Sequence, residues 1–427
     1  MNILPVLAIL FMIGCEDLIF PDPNNPTDET ATLQSLVTGA EAGLRVDIGV
    51  YLRDLLVVGR EAYYLEPADP RYTGELLRGP ADPGGFLTMR PWTANYKVIK
   101  NCENMQAHSD ADAGSNGFAK TIHAYCLMRI LSLTDINGAR LNYDGDISAA
   151  VATKAEVLAE IESLLDDGYS DLISAVDCDD DENGVQFCFT LSDGFSGFDT
   201  ATNFGKFNRA LRARVAVNQD DWDVALTALD NSFMDESGDL DDGVFHVFSS
   251  ASNDQVNEMY EAADADYVKL MVHPSYAVDV EAGDTRYDDK ITVRDATATI
   301  TYDGLTSNLA PSIWSSTYDP IPIIRNEELI LLKAEANIGN GGDGLTEINI
   351  VRAANGLEDV GSGGLDQLLY EKRYSLLFEG QRLVDMRHYD KLDELPLDRT
   401  GLTDENGNPI PDDVIITFPI PETETPG

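Results

Sequence analysis

The stretch NEELILLKAEANIGNGGDGLTEINIVRAANGL runs from Asn326 to Leu357. Ala334 and Ala336 stand on its first half, a Gly-rich turn follows, and Ile348, Val351 and Ala354 then recur at helical spacing. That period predicts a helix, a turn and a second helix. Gly356 just beyond the last periodic residue is a C-cap signal. KFNRALRARVAVNQDDWDVALTALDNSF, from Lys206 to Phe233, has the same plan. Ala210, Ala213 and Ala216/Val217 precede an Asn-Gln-Asp-Asp turn, and Trp222, Ala225, Leu226 and Leu229 form a second face after it. Small residues on one helix facing larger ones on the next let two antiparallel helices approach closely.

These pairs resemble tetratricopeptide repeats, whose unit is a helix–turn–helix. Further helical faces run outward from them. Leu33 to Tyr64 reads as one long amphipathic pattern, Trp92 to Met105 and Phe118 to Leu133 as two more. Lys154 to Leu165 starts with Thr153 as N-cap, and Glu156 completes a capping box. Two stretches break the regularity. Glu66 to Arg90 is rich in Pro, Gly and Asp, and Phe245 to Pro320 carries β-branched runs that predict short strands and loops. The expected fold is therefore all-α dominated: a helical-repeat scaffold with irregular loop and short-strand insertions.

Composition limits the partners. The net charge is −46, from 75 acidic and 29 basic residues, only ten of them lysine. Nucleic acid and anionic lipid surfaces are repelled. An acid-rich, lysine-poor surface resembles those of proteins from high-salt habitats; an ordinary acidic extracellular surface is the other reading. At the N-terminus, Ile3 to Ile13 is apolar apart from Pro5, too short for a membrane span but suited to a signal-peptide core. Met12-Ile13-Gly14-Cys15 resembles a bacterial lipobox, so residues 1–14 read as a lipoprotein signal peptide and Cys15 as the lipidated residue. Residues 15–30 are polar and Pro/Asn/Asp-rich, a composition that buries no core and reads as a flexible tether. Acidic residues directly after the cysteine look like the surface-export signal of Bacteroidota lipoproteins. Four cysteines remain. Cys178 and Cys188 flank a short acidic loop that a disulfide would close; Cys102 and Cys126 fit buried thiols or a bridge equally well.

Toward the C-terminus four segments occur in order: IIRNEELILLKAEAN, NIVRAANGL, LLYEKRYSLLFEGQRLVDMRHYDKL and ITFPIPETE. With the lipobox they resemble the SusD/RagB family, outer-membrane lipoproteins that capture nutrients for a TonB-dependent transporter. The resemblance implies a single SusD-like domain over 31–427, with a loop-rich ligand region near 245–320. It implies a lid docked on a SusC-like transporter, an oligosaccharide or oligopeptide ligand, no cofactor and no catalysis. The membrane would be met through the lipid anchor alone.

The residues themselves favour binding over chemistry. Within a helix expected over Glu371 to His388, Glu371 and Glu379 alternate with arginines, and Glu379–Arg382 and Arg382–Asp385 are at i,i+3. Arginine partners keep carboxylates ionised, which suits packing rather than an acid/base pair. Gly380, in the middle of that helix, suggests a close helix approach. No nucleophile elbow, HExxH, Walker loop or dinucleotide fingerprint occurs, and the five histidines are scattered. Asp177, Asp179 and Asp181 alternate like an EF-hand start, but Cys188 stands where the bidentate Glu belongs, so no metal is expected. Sugar recognition needs aromatic faces and planar hydrogen-bonding groups. Tyr64, Tyr72 and Arg71 on one side, and Tyr302, Trp314 and Tyr318 on the other, are the expected ligand contacts. Trp314 and Tyr318 stand out because they lie in a Ser/Thr-rich loop. Two rivals remain: a surface repeat protein for protein–protein assembly, which would bind no ligand, and a glycoside hydrolase, which would turn polysaccharide over.

Overall fold

A computed structural model describes residues 31–424 apart from 144, 145, 147, 179–183, 253, 404, 405 and 410. The N-terminal scaffold is a run of helices: α1 (Leu33–Arg45), α2 (Ile48–Val58), α3 (Arg71–Arg78), α4 (Phe86–Ala107), α5 (Ala113–Thr134), α6 (Lys154–Ile173), α7 (Ala201–Asn218) and α8 (Trp222–Asp230). The short α9 (Ser275–Asp279) and α10 (Thr285–Lys290) lie in the irregular region. The chain returns to helices with α11 (Asn326–Gly339), α12 (Leu345–Ala354), α13 (Leu365–Ser375) and α14 (Arg382–His388). Thr153 caps α6 as its sequence predicts, with the reciprocal Glu156 bond to the Thr153 N–H at 2.8 Å.

Both quoted stretches form the expected pairs, α7–α8 and α11–α12. Ala210, Ala213, Ala216 and Ala225 are fully buried between their helices, so the small side chains do set the spacing. At Gly339 of α11 an added Cβ would lie 2.3 Å from the Trp222 ring, so the indole of α8 rests directly on glycine backbone. This contact stitches one helix pair to the next. A first core fills the space between α1 and α4–α8, and a smaller one lies among α11, α12 and α13.

Among the described residues, eight strands make four antiparallel two-stranded ribbons: β1 (Ala62–Tyr64) with β3 (Leu270–Val272), β2 (Gly243–His246) with β8 (Ile321–Arg325), β4 (Ile291–Val293) with β7 (Leu309–Pro311), and β5 (Ile300–Tyr302) with β6 (Leu305–Ser307). A second core joins α2, β1 and α3 to these ribbons and to the 374–383 turn.

Three readings from periodicity are corrected. The Leu33–Tyr64 pattern is two helices and a strand, because Asp47 turns left-handed (φ 56°) and Arg90 pairs with its carboxylate. The 66–90 region is not all loop: it contains α3 and the start of α4. The expected Glu371–His388 helix breaks into α13 and α14. Phe378 (φ 69°) and Gly380 (φ 76°) reverse the chain between them. A Cβ on Gly380 would come within 2.9 Å of Leu55, so the close approach is real but belongs to a turn packed on α2. The carboxylates there pair outside their own helix. Glu379 meets Arg325 at 2.5 Å, Asp385 meets Lys372 at 2.6 Å, and Glu371 meets Arg286 at 2.7 Å and Arg352 at 2.8 Å.

With a charge of −46, repulsion opposes compaction at low ionic strength. The melting temperature is therefore expected to rise as salt goes from millimolar to molar, followed by calorimetry; a flat profile would remove surface repulsion as a stability factor.

Candidate ligand groove

The irregular region builds an open groove of about 640 Å³, within the range of small-molecule sites. Its floor and walls bring together Tyr260, Asp264, Thr292, Trp314 and Ser315. Arg294 of the wall is not available to a ligand. Its guanidinium donates to the carbonyls of Ala263 (2.6 Å), Ala265 (2.7 Å) and Ala298 (3.0 Å), locking the 262–265 loop to the 295–298 turn. The groove is thereby held on rigid backbone.

Trp314 lies at the base, only 6% exposed, with its Nε1–H donated to the Pro320 carbonyl at 3.1 Å. The following turn is pinned by Asp319, whose carboxylate accepts from Ser315 N–H (2.5 Å), Ser315 Oγ (2.8 Å) and Ser316 Oγ (2.8 Å). Desolvation pushes the Asp319 pKa up, but these hydrogen bonds outweigh it and leave it below the ordinary value. Tyr318, 47% exposed, stands on that pinned turn but is not among the residues that line the groove.

The other expected contacts lie elsewhere. Tyr64, Tyr72 and Phe86 form an edge-to-face chain, with ring centroids 4.5 and 5.7 Å apart. Arg53 lies 4.8 Å over Tyr64, and Arg71, bonded to Asp69 at 2.8 Å, lies 4.3 Å over Phe86. Tyr72 is buried, Tyr64 and Phe86 are half-buried, and Arg71 is exposed. This patch borders the same loop that supplies Tyr260: Glu258 reaches Arg53 at 3.6 Å. Tyr302, at the end of β5, packs against the second core and does not line the groove. Tyr260 was missed in the sequence, although the criterion that singled out Trp314 applies to it: a rigid aromatic at the edge of an Ala/Asp loop.

Cys178 and Cys188 are joined as a disulfide, with Cα atoms 5.2 Å apart. Cys102 and Cys126 are free and buried, and burial raises the Cys126 thiol pKa to about 12. Of the acidic loop, Asp177 accepts the Gln186 N–H at 2.9 Å; Asp179 and Asp181 lie outside the described residues, as does Cys15. No helix among the described residues is long and apolar enough to cross a membrane.

No protein-family model matches the sequence, and no curated protein does. Solved structures do. A SusD superfamily protein from Bacteroides vulgatus is 16% identical, with 93% of this chain and 96% of that one covered and a TM-score of 0.65. Surface glycan-binding protein A from Bacteroides uniformis is 14% identical over 93% of this chain and 97% of that one, TM-score 0.67. Surface glycan-binding protein A from Bacteroides thetaiotaomicron, solved in complex with laminarihexaose, is 13% identical over 92% and 96%, TM-score 0.65. The chain is thus a helical-repeat protein with short-strand insertions. Its fold is that of the SusD superfamily.

Proposed function

We propose that this protein captures an oligosaccharide at the cell surface and passes it to a TonB-dependent outer-membrane transporter without cleaving it. The groove carries the reading: the Tyr260 and Trp314 rings adjoin Asp264, Thr292 and Ser315 on a locked backbone. Rings match the C–H faces of a sugar, while carboxylate and hydroxyl groups match its hydroxyls. The glycan complex of a protein with the same fold supports that ligand class. The lid role on a SusC-like partner, and anchoring through acyl chains on Cys15, rest on the resemblance of the C-terminal segments and the lipobox. Glu371 and Glu379 are each held by arginine and neither lines the groove, which supports binding without hydrolysis even though burial raises the Glu379 pKa.

Titration calorimetry with laminarihexaose, xylogluco-oligosaccharides and a mixed oligopeptide pool tests the ligand class. Tyr260→Ala is expected to weaken glycan binding about thirtyfold, the usual effect of removing an aromatic anchor. Heat from peptides alone would turn the assignment to oligopeptide capture, and an unchanged Kd would move the site away from the groove.

A further inference from the structure

A second cavity lies away from the groove, inside the helical scaffold. It measures about 80 Å³ and is walled by α2, α5, α6, α7, β8 and α14. Water needs about 10–15 Å³ of such space, so the cavity has room for a small ion with part of its hydration shell. Its charged lining is Arg129, Lys154, Arg214 and Arg387 against Asp135 and Glu379. Most of these charges are already matched. Arg214 is held by Glu328 through two 2.6 Å bonds, and Glu379 by Arg325. Asp135 serves two cations, Lys154 at 2.6 Å and Arg387 at 3.6 Å.

Arg129 is left over. It is 3% exposed and donates one hydrogen bond, from Nη1 to the Leu44 carbonyl at 2.8 Å. Its Nε and Nη2 have no hydrogen-bond acceptor among the described residues. The rings of Tyr51 and Tyr125, 4.5 and 5.8 Å from the guanidinium, offset part of the charge. His246 adds no negative charge. It is buried, and desolvation together with Arg129 and Arg45 holds its pKa well below the ordinary value, so it stays neutral.

We propose that this cavity is a binding site for a halide-sized monovalent anion, chloride in solution, seated on the free N–H groups of Arg129. Water would satisfy the hydrogen bonds but leave the buried charge uncompensated. An anion supplies both the acceptors and the charge. The outer surface repels anions until salt screens it, so occupancy rises with chloride concentration.

Crystals of the full chain soaked in sodium bromide test this by anomalous scattering. A bromine peak within hydrogen-bonding distance of Arg129 Nε or Nη2 is expected; ordered water alone, or no density, overturns the proposal. Thermal melts at equal ionic strength in sodium chloride and sodium gluconate, an anion too large for the cavity, give an independent reading. Tenfold saturation by chloride is expected to raise the wild-type melting temperature by about 2 °C over gluconate, and Arg129→Met to remove that difference. Equal chloride increments in both proteins overturn the proposal. If Arg129→Met does not fold, the wild-type bromide map decides.

Discussion

Trp314→Ala is expected to lower the unfolding free energy by about 3–5 kcal/mol, the range for emptying a buried aromatic site. The sequence places Trp314 in a polar, Ser/Thr-rich loop as an expected ligand contact. The structure packs the ring into the second core. It is 6% exposed and meets Phe378 edge-to-face at 5.8 Å. Phe378 holds a left-handed backbone (φ 69°) that a bulky residue adopts only at a cost of about 1–3 kcal/mol. Its N–H donates to the buried Glu61 carboxylate at 2.9 Å. Removing the indole therefore opens a void beside a strained turn and frees the Pro320 carbonyl of its donor. Tyr318→Ala, four residues on and about half exposed, is expected to change stability by no more than about 0.5 kcal/mol. Denaturant melts of the two variants separate them; equal stability would return Trp314 to the surface.

The difference between those neighbours marks what a sequence can and cannot reveal here. Helical periodicity is local, so the α7–α8 and α11–α12 pairs and the α6 cap were legible from residue spacing alone. Breaks were not, because a turn made by Asp47 or Phe378 in the left-handed region keeps the apolar pattern running through it. Partners are less legible still. Glu379 has Arg382 three residues away, yet it pairs with Arg325 on β8. The groove was half legible: Trp314 stood out by its polar neighbours. The role of Arg294 depends on three carbonyls that tertiary packing brings to it. Tyr64, Tyr72 and Arg71 form their own patch, in which Arg53 covers Tyr64 and Arg71 covers Phe86.

Glu328→Ala is expected to be as damaging as the loss of Trp314, for an electrostatic reason. Glu328 is 2% exposed on α11 and grips Arg214 of α7 through both oxygens. Burial works to lower the Arg214 pKa; the Glu328 carboxylate outweighs it, and the net shift is upward. With the carboxylate gone, the guanidinium keeps, among the described residues, the Ile323 carbonyl at 2.8 Å. Stranding one member of a buried pair costs about 3–5 kcal/mol, whereas replacing both by apolar side chains of similar volume is often neutral. Arg214→Met combined with Glu328→Leu is therefore expected to melt close to the wild type, although each partner alone is essential to the other. Arg214 also lines the Arg129 cavity, so a small anion entering there would stand in for the missing carboxylate. Melts in sodium gluconate expose the full loss in Glu328→Ala, and the same melts in chloride should recover part of it. A double variant as unstable as Glu328→Ala would mean that the α7–α11 contact depends on the charges themselves rather than on filling the space between the helices.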